Sequence, residues 1–76
     1  MKIDVNGVEK VIGEVPEINY YDLIILAGFK AGRNGLTITY FGPKRGDSRR
    51  EGIVYPGKPV RPEEGMVFHV ADTSSA

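Results

Sequence analysis

The 76-residue chain has no cysteine and no tryptophan. Without thiols it can form no disulfide, no thiolate metal site and no cysteine nucleophile. Small secreted domains more often carry disulfides, so the chain reads as cytoplasmic. Long hydrophobic runs are also missing. The longest, Leu23 to Ala27, falls far short of the ~20 residues that cross a bilayer, so no membrane association is expected. The opening "MKIDVNGVEK" alternates apolar and polar residues and lacks the pattern of a signal or transit peptide. There is no excess charge: ten Lys/Arg balance ten Asp/Glu. No basic stripe interleaves with aromatics, so nucleic acid is not an expected partner. No G-x-x-x-x-G-K-S/T phosphate cradle occurs. The single histidine, His69, has neither a cysteine nor a dedicated serine–acid constellation to serve. Enzyme activity is therefore not expected, and neither is a cofactor or a metal.

What is present suits one small domain. At this length roughly 60% of the unfolded surface can be buried, and 41% of the residues are apolar, well above the disordered regime. Charge is unevenly spread, at −3 over residues 1–28, +6 over 29–62 and −3 over 63–76. Much of the positive charge lies in "PKRGDSRRE", read as a solvated loop in which the Arg45–Asp47 tripeptide is accidental. Glu63 and Glu64 are likewise read as solvated turn charge.

Met1, Ile3 and Val5 alternate with polar residues as in a half-buried strand. Asn6-Gly7 then gives a strong hairpin signal, with a return strand over Val8 to Val15. A two-residue turn sets Asp4 against Glu9 and Ile3 against Lys10. A bulged three-residue turn sets Asp4 against Lys10 and Ile3 against Val11, and is preferred. In "INYYDLIILAGF", Asn19 is an N-cap with Asp22 as its capping-box partner, and Ile18 with Leu23 forms a staple. Gly28 stops the helix, with Phe29 folding back onto Ile24. Tyr20, Leu23, Ile24 and Ala27 face the core. Tyr21 and Ile25 fall on the far side, where a covering loop is expected ahead of a partner.

Further strands are predicted over Leu36–Phe41, Gly52–Tyr55 and Met66–Ala71. Val60 is expected to tuck inward. Strand, strand, helix and three more strands imply an α+β fold. A mixed four- to five-stranded sheet would carry one helix across one face, in the ubiquitin-like β-grasp arrangement. Residues 1–71 form this domain and 72–76 a flexible tail. Alternation places Thr37, Thr39, Phe41, Val67 and His69 on the sheet face away from the helix. Phe41 is either an exposed anchor there or covered by the basic loop.

"YYDLIILAGF", "LTITYFGP", "EGIVYPGKPV" and "EEGMVFHVADT", in this order and spacing, resemble the bacterial multiubiquitin family over residues 3–73. The resemblance implies a ubiquitin-like modifier whose C-terminal carboxylate is activated by an adenylating enzyme. A conjugating-enzyme-like carrier would pass it to target proteins, and a metalloprotease would remove it. It also implies that the sheet face binds partners. Thr73, Ser74, Ser75 and Ala76 would then be the conjugation tail, small enough to thread a narrow channel. Better-known modifiers end in two glycines, and Ala76 departs from that pattern. The lysines Lys2, Lys10, Lys30, Lys44 and Lys58 are possible chain acceptors. A non-conjugated protein-binding module and a sulfur carrier stay as alternatives.

Overall fold

The computed structural model describes residues 1–73. Five strands, β1 (Lys2–Val5), β2 (Val8–Val11), β3 (Leu36–Phe41), β4 (Glu51–Val54) and β5 (Val67–Asp72), accompany one helix, α1 (Tyr20–Leu26). They form a mixed sheet in the order β2-β1-β5-β3-β4. β1 and β5 are parallel, and the other neighbours are antiparallel. Among the described residues no helix is long and apolar enough to cross a membrane.

The helix forms where its local signals stand. The Asn19 side chain accepts from the Asp22 N–H at 2.9 Å, and the Asp22 carboxylate accepts from the Asn19 N–H at 3.3 Å. Two of the orphan donors at the helix start are thereby satisfied. At the other end Gly28 takes φ 89°, a conformation glycine adopts at little cost. Its N–H bonds to the Ile25 carbonyl, and the Phe29 N–H bonds to the Ile24 carbonyl at 3.0 Å, which closes a Schellman motif. Seven residues are too few for an isolated helix, so packing must hold it. Leu23 and Ile24 are wholly buried and Tyr20 nearly so, against Ile3, Ile38 and Phe68 of the sheet. Each such side chain contributes about 1.5–3 kcal/mol. Ala27 is half-buried at the margin of this core.

The Tyr20 hydroxyl is the polar exception in the buried cluster. It donates to the Leu36 carbonyl at 2.8 Å and accepts from the Leu36 N–H at 3.2 Å. The start of β3 is thereby satisfied from the helix side. Tyr20→Phe leaves both backbone groups buried without a partner, at a cost of about 1–3 kcal/mol. Urea unfolding of the variant measures this, and an unchanged midpoint would mean that the hydroxyl is dispensable.

Three expectations are corrected. The hairpin uses the two-residue turn, with Asp4 opposite Glu9 and Ile3 opposite Lys10. Asn6 at φ 53° and Gly7 at φ 82° form the turn, and the Asp4 carboxylate accepts from the Gly7 N–H at 2.8 Å. β2 is an edge strand exposed along most of its length, so the Asp4–Glu9 repulsion is screened by water and the turn decides the register. Second, Tyr21 and Ile25 lie under no loop of the described residues and are 46% and 56% exposed. Third, the regular pairing of β2 ends at Val11 rather than Val15. Ile12 adds a last pair of bonds with Met1, and Pro16 lies beyond.

The two remaining boundaries move by one residue, with β4 at Glu51–Val54 and β5 at Val67–Asp72. Val60 is half-buried, as expected, and exchanges two backbone bonds with Ile18. This bridge fastens the entry to α1 onto the chain after β4.

Candidate interaction face and C-terminal segment

The five residues assigned to the outer face lie together. Register places Thr39 between His69 on β5 and Ile53 on β4, and Phe41 between Val67 and Glu51. Thr37 stands opposite Ala71. Thr37 and His69 are exposed, while Thr39, Phe41 and Val67 are half-buried. The inward partners on the same strands, Leu36, Ile38, Phe68 and Val70, all enter the core. Period-two alternation alone thus divides β3 and β5 into a core side and an open side.

The face holds one residue more than the sequence reading gives it. Ile53 is 46% exposed and continues the His69–Thr39 row across β4. The signal was its alternation with the inward Val54, in a strand too short to read faces from sequence. On the core side of β4, Gly52 sits beneath the Tyr40 ring. A Cβ there would stand 2.7 Å from the Tyr40 hydroxyl oxygen, so glycine permits the close approach.

The basic loop is braced rather than simply solvated. Arg45 and Arg50 both pair with the Glu63 carboxylate, at 3.1 and 3.3 Å. The Arg49 Nε donates to the Gly42 carbonyl at 3.2 Å, and its guanidinium lies 5.2 Å over the Phe41 ring. Such a contact contributes about 0.5–1 kcal/mol at an exposed site. Phe41 is thus partly covered by the loop, through Arg49, and a partner would meet the two as a stacked pair. The acidic pair Glu63-Glu64 is also engaged, because the Glu64 carboxylate accepts from the Lys2 N–H at 3.1 Å. In sequence these charges look like a solvated turn because their partners are far away along the chain.

The C-terminal segment begins in the sheet. Asp72 pairs with Leu36 and its carboxylate forms an ion pair with Arg33. Thr73 donates its N–H to the Gly35 carbonyl at 3.4 Å, and its hydroxyl lies 3.1 Å from that of Thr37. Thr73 is exposed but held at its backbone. Ser74, Ser75 and Ala76 of the expected tail lie outside the described residues. His69 is exposed, and among the described residues no three His, Asp or Glu side chains gather as a metal site. The chain matches no protein-family model, no curated protein and no solved structure.

Proposed function

We infer that this chain is a non-enzymatic, ubiquitin-like protein modifier with a β-grasp body. An adenylating enzyme would activate its C-terminal carboxylate, a conjugating-enzyme-like carrier would transfer it to target amines, and a metalloprotease would reverse the attachment. A mixed five-strand sheet with one helix is compatible with that body. The observation that carries the reading is the division of labour along the chain. Among the described residues every buried apolar side chain belongs to residues 3–70, and Ala71 to Thr73 are tied to the β3 side of the sheet, so the reading assigns the chemistry to Ser74, Ser75 and Ala76. These small residues suit a narrow enzyme channel.

A second reading, a non-conjugated binding module, is favoured by the open face around Ile53, Phe41 and His69. A sulfur carrier is the third.

Incubation with an adenylating enzyme from the same source, ATP and magnesium should give a covalent adduct by intact mass. Deleting Ser75 and Ala76 is expected to abolish the adduct and, if the tail serves chemistry alone, to leave the melting temperature within about 1 °C. A drop of several degrees would make the tail structural. The binding-module reading instead predicts a complex that survives this deletion and weakens about fivefold or more with Phe41→Ala, the loss of one partly buried aromatic anchor.

A further inference from the structure

The sequence contains two Asn-Gly steps, Asn6-Gly7 and Asn34-Gly35. At such a step the glycine nitrogen can attack the asparagine Cγ, because no side chain on the following residue obstructs it. A C–N bond forms, the side-chain amide leaves as ammonia, and a five-membered succinimide results. Water then opens the ring at either carbonyl, giving aspartate or isoaspartate. One water is consumed and one ammonia released, with no redox change. We propose that the fold silences this reaction at Asn6 and leaves it open at Asn34, making Asn34 a self-modification site at the anchor of the C-terminal segment.

Asn6 is clamped. Its Nδ2 donates to the Val70 carbonyl at 3.0 Å, and its Oδ1 accepts from the Val70 N–H at 2.8 Å. Both bonds must break before Cγ can approach the Gly7 nitrogen. The φ values of Asn6 and Gly7 match the mirror-image type I turn, in which ψ at the first central residue is about +30°. That rotation holds the Gly7 nitrogen away from Cβ, whereas the ring needs the two nearly eclipsed. The turn is fastened further by the Gly7 N–H on Asp4 and by the Asn6 N–H on the Phe68 carbonyl.

Asn34 has no such restraint. It is exposed, lies outside every strand and helix, and its side chain makes no hydrogen bond among the described residues. The side-chain clamp that must open before the reaction at Asn6 has no counterpart at Asn34 among the described residues.

Position gives the modification a consequence. The Gly35 carbonyl receives the Thr73 N–H, and the neighbouring Arg33 pairs with Asp72. Aspartate at 34 adds a negative charge beside that ion pair. Isoaspartate lengthens the backbone by one methylene next to Gly35 and shifts the carbonyl that holds Thr73. Either product loosens the root of the C-terminal segment. The chemical step does not depend on the modifier reading.

The test uses the whole native protein, held at mildly alkaline pH and 37 °C and sampled by tryptic mass spectrometry. The peptide beginning at Asn34 should gain about one dalton at least tenfold faster than the peptide containing Asn6, a ratio equivalent to about 1.4 kcal/mol of local opening. In concentrated urea the two rates should converge to within about threefold, because both steps have the same local chemistry. Equal native rates, a faster Asn6, or no conversion at Asn34 would overturn the assignment. Amide exchange at Thr73 should speed up in the chromatographically separated isoaspartate form. Unchanged exchange would overturn the link to the C-terminal segment while leaving the modifier reading untouched.

Discussion

Phe68→Ala is expected to remove about 3–5 kcal/mol of stability. A domain of 76 residues has only roughly 4–11 kcal/mol in total at about 0.05–0.15 kcal/mol per residue, so the variant should be largely unfolded at mild urea concentrations. Phe68 is wholly buried on β5, the central strand, with β1 on one side and β3 on the other. Its ring lies 6.4 Å from that of Tyr40 at a tilt of 47°, and α1 closes over the same core. Truncation leaves a cavity among elements that are held by their own ladders and cannot collapse freely. Phe68→Leu should cost about half as much, since it keeps most of the volume. Equilibrium unfolding of both variants checks the ordering. A loss below about 1 kcal/mol for alanine would place the centre of the core elsewhere.

Asn6→Ala should cost about 2–5 kcal/mol, a large effect for an exposed hairpin residue. Two terms add. The left-handed backbone at φ 53° disfavours alanine by about 1–2 kcal/mol. Loss of the side-chain amide strips both Val70 backbone groups of a partner, at about 1–3 kcal/mol. Asn6→Gly separates the terms, because glycine tolerates the angle but supplies no amide. It should recover about 1 kcal/mol relative to alanine while amide exchange at Val70 still accelerates. Equal stabilities for the two variants would mean that backbone strain plays no part, and a slow Val70 amide in both would dismiss the clamp.

Local rules were enough where the signals and their partners are close in sequence. Asn19, Asp22 and Gly28 define α1 because capping is settled within one turn at each end. Leu36 to Phe41 reads as a strand, with its faces, because six residues alternate without interruption. The hairpin register departs from the expected one because turn geometry decides it, on an edge where water screens the cross-strand pairing. What remained hidden depends on distant partners: the amide of Asn6 on Val70, the Glu64 carboxylate on the Lys2 N–H, and Arg49 over Phe41. A loop over Tyr21 and Ile25 is the expectation because apolar side chains favour burial, yet exposed apolar residues are common on small domains. The outer face was legible in part. Thr37, Thr39, Phe41, Val67 and His69 assemble as their alternation requires, whereas Ile53 needed the β3–β4 register to join them.

Reactivity borne by a terminus that the folded body does not need is the claim on which this account turns. Its most direct measurement is the intact mass of an amino-terminally tagged chain recovered under denaturing conditions from its source cells. A modifier should give species heavier by the mass of a target, joined through the last carboxylate to a lysine amine, and absent when residues 74–76 are removed. A tagged chain found solely at its own mass, or heavier species that persist after that removal, would contradict it.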